Sequence, residues 1–377
     1  MRDAVIVDAV RSPIGKRNGS LAGVHPADLS AHVLSALQER VGFEPGIVDD
    51  VVWGCVSQVG DQAGSLGRVG VLAAGWPESV PATTVDRRCG SSQQSVHFAA
   101  GLVIAGQYDV AVAGGAESMT RVPMGSARIE GGAPYPDSVL QRYGVEEMNQ
   151  GVAAEMIAAK WGLSRARLDE YSARSHERTA AASDAGAFAA QIAPIAGLAH
   201  DEGLRRGTTP ETLAALKPAF REDGVIHAGN SSQISDGAGA LLVTTSEIAA
   251  ANGWRPMARV HTAVLAGDDP VMMLTAPIAA TVKALRKSGL AATDIGAYEV
   301  NEAFAPVPLA WQAEIGVSDD VLNPLGGAIS VGHPLGGSGA ILMTRLLHHM
   351  RDNDIRFGLQ TMCEAGGMAN ATILELL

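Results

Sequence analysis

Apolar residues along this chain follow two spacings that alternate. Short continuous apolar runs, AVIVDAV at 4–10, DVVWGCV at 50–56 and AYEV at 297–300, have the length of buried strands. Between them, stretches such as 27–39 and 278–289 place apolar residues three and four positions apart, as helices packed by one face do. The alternation predicts an α/β fold built in layers.

The same cycle of elements occurs twice. A Gly-rich opening, a long helix and a strand ending in glycines are predicted at 89–119 and again at 332–370. We interpret this as an internal duplication that gives two α/β halves, the alternative being chance similarity between Ala- and Gly-rich strings. Between the halves, the sequence becomes polar and helical, which indicates an inserted loop domain. The predicted domains are residues 1–117 plus 235–256, the loop domain 118–234, and residues 257–377.

Composition narrows the class of protein. Hydrophobic residues make up 47% of the 377 residues and charged residues 18%, which is typical of a compact globular chain. The net charge of −12 argues against general nucleic-acid binding, because displacing phosphate counterions requires a basic face. Three cysteines without a CxxC pair predict neither a metal site nor a disulfide framework. With no signal-peptide layout and no membrane-length apolar run, we expect a cytoplasmic protein.

Cys89 is the first candidate for chemistry. It opens the string CGSSQQSVHFAAGLVIAG, in which a small-residue turn leads into a predicted helix. The N–H groups and positive dipole end of a helix N-terminus favour a thiolate, so we expect the pKa of Cys89 to fall from about 8.5 toward neutrality. A free cysteine is more often a small buried hydrophobic residue, and that alternative stays open for Cys89 considered alone.

Two further strings also place reactive groups at the ends of elements. His333 lies among glycines at 326, 327, 332, 336, 337 and 339, which would leave room for a large substrate and for backbone N–H groups beside the imidazole. Cys363 ends a predicted buried strand just before two glycines. Loops held by a rigid scaffold can bring such residues to one point, although a purely structural histidine remains the alternative for His333.

A basic pair in the loop domain could hold an anionic group. Arg205 and Arg206 stand in the string GLRRGTT, beside glycines and two threonines whose hydroxyls can donate hydrogen bonds. A solvated surface loop is the usual role of such a pair, and the string by itself does not decide between the two.

Taken together, these strings resemble the thiolases over nearly the whole chain. Seven of them occur in the order seen in that family: VDAVRSPIGKRNGSL at 7–21, the Cys89 string, AGGAESM at 113–119, LKPAFREDGVIHAGNSSQISDGAGA at 216–240, VNEAFA at 300–305, GHPLGGSG at 332–339, and Cys363 with its following glycines. The resemblance implies a duplicated, five-layer αβαβα fold with a covering loop domain, and a homodimer or homotetramer.

The resemblance also implies a reaction and the residues that perform it. The family cleaves 3-ketoacyl-CoA with CoA, or runs the reverse Claisen condensation, with CoA as co-substrate and no permanently bound cofactor. Cys89 would be the acyl-accepting nucleophile, His333 its base and Cys363 the second acid/base. Asn301 would orient a water beside His333 to form one oxyanion hole; by its position before a predicted helix, Asn301 could instead be an N-cap. N–H groups of Cys89 and residue 365 would form the other hole, whereas Glu302 is interpreted as structural.

Substrate contacts are implied at four positions. Arg205 would lie near the CoA nucleotide and Ser232 along the pantetheine arm, while Met273 and Phe304 would be apolar contacts near the acyl group. Methionine and phenylalanine serve as core packing equally often at such positions.

Three positions depart from the usual thiolase pattern. Ala365 replaces a common glycine, which would be strained if its φ were positive, and Glu364 stands where an apolar or small residue is more usual. Asn149 replaces the histidine of short-chain biosynthetic thiolases, which favours a degradative enzyme. The strings around both cysteines resemble an actinobacterial branch that includes thiolases of lipid and steroid side-chain breakdown.

Three alternatives to a thiolase remain at this point. A ketoacyl synthase of the same fold would share the nucleophile but lack Cys363. A non-catalytic acyl-CoA or lipid-binding relative would lack a reactive residue, and all of them are present. An unrelated Cys-His hydrolase would not explain the NEAF string.

Overall fold

The computed structural model of the protein describes residues 2–128 and 132–377, in which ten strands and twelve helices are formed. The strands are β1 Val5–Arg11, β2 Gly15–Lys16, β3 Asp50–Gly54, β4 Ala82–Val85, β5 Val110–Ser118, β6 Ser235–Thr244, β7 Ala258–Gly267, β8 Ala297–Val300, β9 Phe357–Glu364 and β10 Met368–Leu376. The helices are α1 Pro26–Val41, α2 Leu66–Ala73, α3 Ser91–Ala105, α4 Asp137–Tyr143, α5 Gln150–Lys160, α6 Arg165–Asp184, α7 Pro210–Ala214, α8 Ser246–Ala251, α9 Ala276–Ser288, α10 Pro306–Ile315, α11 Ala328–Val331 and α12 Ser338–Asp352.

The strands form one hydrogen-bonded path, in the order β4-β3-β5-β6-β1-β7-β10-β9-β8, with β2 paired to β6 beside it. In the N-terminal half, β3 is parallel to β4 and β5, whereas β6 is antiparallel to β5 and β1. The C-terminal half repeats these relations, because β8 is parallel to β9 while β10 is antiparallel to β9 and β7. This repetition agrees with the duplication that the sequence predicts.

Helices cover both faces of each half and give five layers. Side chains alternate between the faces of a strand, so Val110 and Val112 of β5 pack with α1 and α2, whereas Ala111 and Ala113 pack with α3 and α12. Helices α3 and α12 form the middle layer: α12 contacts strands of both halves, and Gln93 of α3 donates a hydrogen bond to Thr372 of β10 at 2.7 Å. Helix α9 packs on the outer face of β7 and β10. The predicted αβαβα arrangement is therefore confirmed.

The region between β5 and β6 contains α4 to α7 and long irregular joins. Helices α5 and α6 lie in this region, which the sequence predicts to be helical, and α6 packs against α11, directly ahead of the His333 loop. The exact boundaries of the loop domain stay a prediction. Within the two described ranges, no helix combines the length and the apolar character needed to cross a membrane.

Glycines let the backbone of three elements meet at one point. A Cβ placed on Gly115 of β5 would lie 2.6 Å from the carbonyl oxygen of Gly54 in β3 and 2.6 Å from that of Gly336, just beyond His333. It would also lie 2.8 Å from Cβ of Ser92 at the start of α3. The turns that carry Cys89 and His333 can therefore rest directly on the sheet.

The glycines around His333 are also filled by protein rather than by open space. A Cβ on Gly327 would meet the Glu302 side chain, and one on Gly332 would meet Ser235 at 2.1 Å. The same holds for the other four, which face Thr179, Cys55, Gly237 and Gln93. The expectation that these glycines leave room for substrate is wrong: they allow the loop to pack tightly.

Gly115→Ala is expected to lower the free energy of unfolding by about 3 kcal/mol, because the added methyl group meets main-chain atoms that cannot rotate away. Denaturant unfolding followed by circular dichroism measures this change. Gly101→Ala is the matched control: Gly101 lies in α3, and nothing lies within 4 Å of the position that an added methyl group would occupy. Helix propensity predicts a gain of about 0.5–1 kcal/mol for this control. Equal effects of the two substitutions would contradict the packing argument.

Candidate active site

Cys89 lies in the turn between β4 and α3, as the sequence predicts. The Gly90 N–H donates to the carbonyl of Arg87 at 3.1 Å, and the Ser91 hydroxyl accepts from the Arg87 N–H at 2.9 Å. These bonds fix a tight turn, after which α3 begins at Ser91. The side chain of Cys89 is 5% exposed and packs in one apolar cluster with Met119, Leu335, Leu342 and Met362.

The predicted lowering of the Cys89 pKa is wrong. Burial raises the pKa of this thiol well above its usual value, and the neighbouring Cys363 and Glu364 raise it further. A helix N-terminus stabilises an anion by at most about 2 kcal/mol, whereas removing a charge from water costs several kcal/mol. Cys89 is therefore a neutral thiol in the folded protein, and it needs a base before it can act as a nucleophile.

His333 has the properties of such a base. Its Nδ1 lies 2.7 Å from the hydroxyl of Ser338, and that hydroxyl donates to the carbonyl of Pro334 at 3.0 Å. Because the hydroxyl has one proton to donate, the imidazole carries its proton on Nδ1 and leaves the Nε2 lone pair available. Nε2 is buried and has no hydrogen-bond partner among the described residues. Burial lowers the pKa of His333 to about 4, so the ring is neutral near pH 7.

Cys363 lies at the end of β9, next to Asn301. The Asn301 Nδ2 is 4.0 Å from the Cys363 sulfur, and main-chain Ala303 also faces this sulfur. Burial raises the pKa of Cys363 to about 12, and the hydrogen bond from Asn301 opposes the shift. This second sulfur is also a neutral thiol, but it lies beside polar groups rather than in hydrocarbon alone.

The structure brings the chemical groups together from distant parts of the chain. Cys89 shares its apolar cluster with Leu335, two residues beyond His333, and with Met362, the residue before Cys363. The two sulfurs are close enough for the charge of one to raise the pKa of the other. The segments that carry His333 and Cys363 thus pack against Cys89, and Asn301 faces the Cys363 sulfur.

Asn301 is not a helix cap, so this alternative is wrong. Helix α10 begins later, at Pro306, with Ala305 at the N-cap. The Asn301 Oδ1 is buried without a hydrogen-bond partner among the described residues, which fits an acceptor that faces the site.

Ala365 is not among the described residues with positive φ, so its replacement of glycine does not strain the backbone; Gly366 and Gly367 carry the left-handed turn instead.

Ser232 lies between the strings of Asn301 and His333. Its N–H donates to the Ala303 carbonyl at 2.9 Å, and the next carbonyl along the chain, that of Gln233, accepts from the His333 N–H at 3.1 Å. Phe304 is half-buried and contacts the ring of Phe220 edge-on. Both residues therefore lie beside the site.

Arg205 lies farther out, in the loop domain. Its side chain is exposed and borders a cavity of about 200 Å³ that extends to Gln233 and Ile329. Arg206 is paired with Asp184 at 2.6 Å. It borders a larger cavity of about 740 Å³, and neither Cys89 nor Cys363 lines that cavity. Of the two arginines, Arg205 thus shares a cavity with Gln233, whose carbonyl accepts from the His333 N–H.

Met273 is part of the hydrophobic core. It is 1% exposed and belongs to the same apolar cluster as Cys363 and Ala303. The structure brings it to the side of the site formed by the C-terminal half, but as a packed residue without open surface.

Asn149 caps α5, because its Oδ1 accepts from the Gly151 N–H at 2.9 Å.

Sequence analysis missed two residues that support the site. Ser338 fixes the tautomer of His333, and Glu117 accepts hydrogen bonds from the N–H groups of Val56, Ser57 and Gly336. Glu117 thereby ties the His333 loop to the end of β3. Both residues stand within strings that the sequence singles out, GHPLGGSG and AGGAESM, but only three-dimensional contacts reveal their roles. Glu302 is structural as expected, since it accepts from Tyr171, Ser175 and the Ile329 N–H.

Comparison with known proteins agrees with this geometry. Residues 4–247 match the family model of the thiolase N-terminal domain, and residues 254–376 match that of the thiolase C-terminal domain. The chain is 47% identical to the steroid 3-ketoacyl-CoA thiolase FadA6 of Mycobacterium tuberculosis, over 100% of this chain and 95% of that protein. It is 41% identical to a 3-ketoacyl-CoA thiolase of Escherichia coli over the full length of both.

A solved structure has the same fold as this chain. The acetyl-CoA acetyltransferase of Bacillus anthracis superposes with a TM-score of 0.92 at 35% identity, covering 100% of this chain and 99% of that one. Two family models in tandem, full-length relatives and a matching fold leave one conclusion: this chain belongs to the thiolase family.

Proposed function

We propose that this protein is a 3-ketoacyl-CoA thiolase that transfers an acyl group through a thioester on Cys89. The observation that supports the proposal is that two buried thiols, Cys89 and Cys363, lie close enough for one to raise the pKa of the other, while Leu335, two residues beyond His333, packs in the same cluster as Cys89. A hydrolase needs one thiol and one base, whereas breaking a carbon–carbon bond requires a second group to protonate the carbon that leaves. Cys363 is that second group.

The first half of the reaction loads Cys89. Nε2 of His333 accepts the Cys89 proton, and the sulfur attacks the C3 carbonyl carbon of the 3-ketoacyl-CoA. The bond between C2 and C3 then breaks, and its electron pair stays on C2 of the departing acetyl-CoA. Cys363 donates its thiol proton to C2, which leaves a thioester on Cys89 and a thiolate on Cys363.

The second half releases the product. The thiol of a free CoA gives its proton to the Cys363 thiolate and attacks the thioester carbon. A shortened acyl-CoA leaves, and Cys89 regains a proton from the imidazolium of His333. Because burial raises the pKa of Cys363 to about 12, this thiol carries the proton that the first half of the reaction delivers to C2.

Two sets of donors are proposed to stabilise the oxyanions that form. The free Oδ1 of Asn301 can accept from a water held beside His333, so that this water donates to the thioester oxygen. The N–H groups of Cys89 and Ala365 form the second set for the oxygen on the acyl carbon. Preorganised donors of this kind contribute a few kcal/mol each to rate.

Coenzyme A is proposed to enter from the loop domain. The exposed Arg205 guanidinium would meet the anionic nucleotide, and the cavity beside it extends to Gln233, the neighbour of Ser232, along which the pantetheine arm would run. Phe304 would contact the thioester end of the pantetheine, while the packed Met273 would support the wall behind Cys363. CoA is thus a co-substrate, and we propose no permanently bound cofactor.

We propose that the enzyme is degradative and that its substrates are 3-ketoacyl-CoA thioesters. The acyl group is a fatty acyl chain or, as a second candidate, a steroid side chain. Asn149 caps α5 and replaces the histidine of the short-chain biosynthetic thiolases, which favours a degradative enzyme. The relative with 47% identity is named for a steroid substrate, and a second at 41% carries no steroid designation. The two candidates differ in acyl size, which a substrate series separates.

We further propose a homo-oligomer, a dimer or tetramer, in the cytoplasm. Strand β4 lies at one end of the strand path, so one of its edges carries main-chain groups available for pairing. Exposed apolar side chains of Val69, Leu72 and Phe98 lie on α2 and α3, the helices next to this strand.

Cys89→Ala is expected to abolish covalent labelling by a radiolabelled acyl-CoA, because alanine cannot form the thioester. Acid quench and gel filtration measure the label that stays on the protein. Cys55→Ala is the matched control, since Cys55 is also buried but takes no part in the proposed reaction. Label retained on the Cys89 variant would refute the nucleophile assignment.

Cys363→Ala is expected to separate the two halves of the reaction. The variant should still accept an acyl group on Cys89, but it should lose tritium exchange at C2 of acetyl-CoA by about 10²-fold or more, as removal of a general base does. Exchange is followed by scintillation counting. Undiminished exchange would remove Cys363 as the acid/base.

The change in free thiol with a series of 3-ketoacyl-CoA substrates, from four carbons to steroid side chains, tests the function as a whole, because thiolysis consumes the thiol of added CoA whereas hydrolysis releases a thiol. Turnover is expected only when free CoA is added, and longer acyl groups are expected to have the higher kcat/KM. Turnover without CoA would indicate a hydrolase, and no turnover on any substrate would indicate a binding protein.

A further inference from the structure

Glu364 is an unusual residue for its surroundings. It follows Cys363 at the end of β9, its side chain is 0% exposed, and neither carboxylate oxygen has a hydrogen-bond partner among the described residues. A buried polar group without a partner costs about 1–3 kcal/mol, and a charged one costs more. Packing alone would be served better by the apolar or small residue that the thiolase pattern favours here.

The carboxylate of Glu364 lies against the residue that follows the nucleophile. A Cβ on Gly90 would be 2.1 Å from Glu364 Oε1 and 2.7 Å from Nδ2 of Asn370, although the φ of Gly90, −87°, would allow a side chain. The Asn370 Nδ2 also donates to the Gly90 carbonyl at 3.0 Å. Gly90 is therefore glycine because Glu364 and Asn370 occupy the space beside it.

Arg87 completes this cluster from the other end of the Cys89 turn. Its Nη1 lies 3.9 Å from Glu364 Oε2, and its Nε is buried without a hydrogen-bond partner among the described residues. Asn370 Oδ1 is unpartnered in the same way. A carboxylate, a guanidinium and a carboxamide, each with unsatisfied capacity, thus enclose the turn that presents Cys89.

We propose that Glu364 is a positioning residue that braces the Cys89 turn with Arg87 and that, once it is ionised, opposes loss of the Cys89 proton to solvent, so that His333 has to remove this proton. The proposal rests on the proposed role of Cys89 as the acyl acceptor. Two negative charges in a poorly solvated site repel strongly, so an ionised Glu364 opposes a thiolate at Cys89. The nucleophile then forms only by direct proton transfer to the imidazole, and not by loss of the proton to water.

The other charged and titratable groups facing Cys89 are few. Among the described residues, Cys363 of β9, Glu364 and Glu117 of β5 act on the Cys89 thiol, and Arg87 and Asp86 act on Glu364. The glycine-rich loop adds His333, whose neighbour Leu335 packs with Cys89. His333, with a pKa of about 4, and Cys363, with a pKa of about 12, do not titrate near pH 8. Burial raises the pKa of Glu364 to about 8, while Arg87 opposes the shift.

Alkylation of Cys89 by iodoacetamide tests the proposal without any turnover. The rate is measured from pH 7 to pH 10 by mass spectrometry of the Cys89 peptide, and it follows the thiolate fraction. In the unaltered protein, the logarithm of the rate should rise with a slope below one near pH 8, because Glu364 ionises there and opposes the thiolate. Glu364→Gln should restore a slope of one and raise the rate at pH 9 roughly tenfold.

Glu375→Gln is the matched control. It removes one carboxylate of β10, paired with Arg259 and Arg356 on the other side of the fold, and it should leave the alkylation profile unchanged. The proposal is overturned if Glu364→Gln has the profile of the unaltered protein, or if Glu375→Gln shifts it equally. Should the Glu364 variant fail to fold, a slope of one across this range in the unaltered protein overturns it as well.

This assay and the acyl-labelling assay fail independently. Retention of acyl label on Cys89→Ala would remove the nucleophile, and with it the proposed function, whatever the alkylation profile. An unshifted profile would remove Glu364 from its role while leaving the thiolase chemistry in place.

Discussion

Direct contact between main-chain atoms at the centre of the fold is the constraint on which the site depends. Gly115 of β5 touches Gly54 of β3 and Gly336 of the His333 loop without any intervening side chain. Because Cβ atoms are absent there, the start of α3 and the His333 loop reach the sheet at one place. Each half of the duplicated fold contributes one of these turns, so the site exists only where the two halves meet.

Burial then decides the chemistry of the groups that meet there. In water, a cysteine beside a histidine exchanges protons readily, but in this site desolvation disfavours every isolated charge. Cys89 and Cys363 are therefore neutral thiols and His333 a neutral imidazole. In the proposed reaction, each proton therefore has to move directly between these groups or to the substrate rather than to water.

Supporting residues hold this neutral set in position. Ser338 selects the tautomer of His333, and Glu117 ties the following glycines to the end of β3. On the opposite side, the turn of Cys89 is enclosed by Arg87, Asn370 and Glu364. These residues come from five different elements, and each acts on the reactive groups through a hydrogen bond or a charge.

The sequence by itself determined most of the elements, the duplication and the family, and it predicted which residues are reactive. Strands β1, β3 and β8 lie at the predicted positions because short buried strands leave apolar runs in the sequence. The seven strings identified the family. The sequence did not determine protonation: a helix N-terminus is visible in the letters around Cys89, whereas the apolar cluster of Leu335 and Met362 is assembled from distant segments. Asn301 likewise resembles a helix cap in sequence. In the structure α10 begins later, at Pro306, and the Asn301 side chain faces Cys363 instead. Local pattern fixes local structure, but solvation and hydrogen-bond partners are properties of the surroundings, which only the tertiary structure decides.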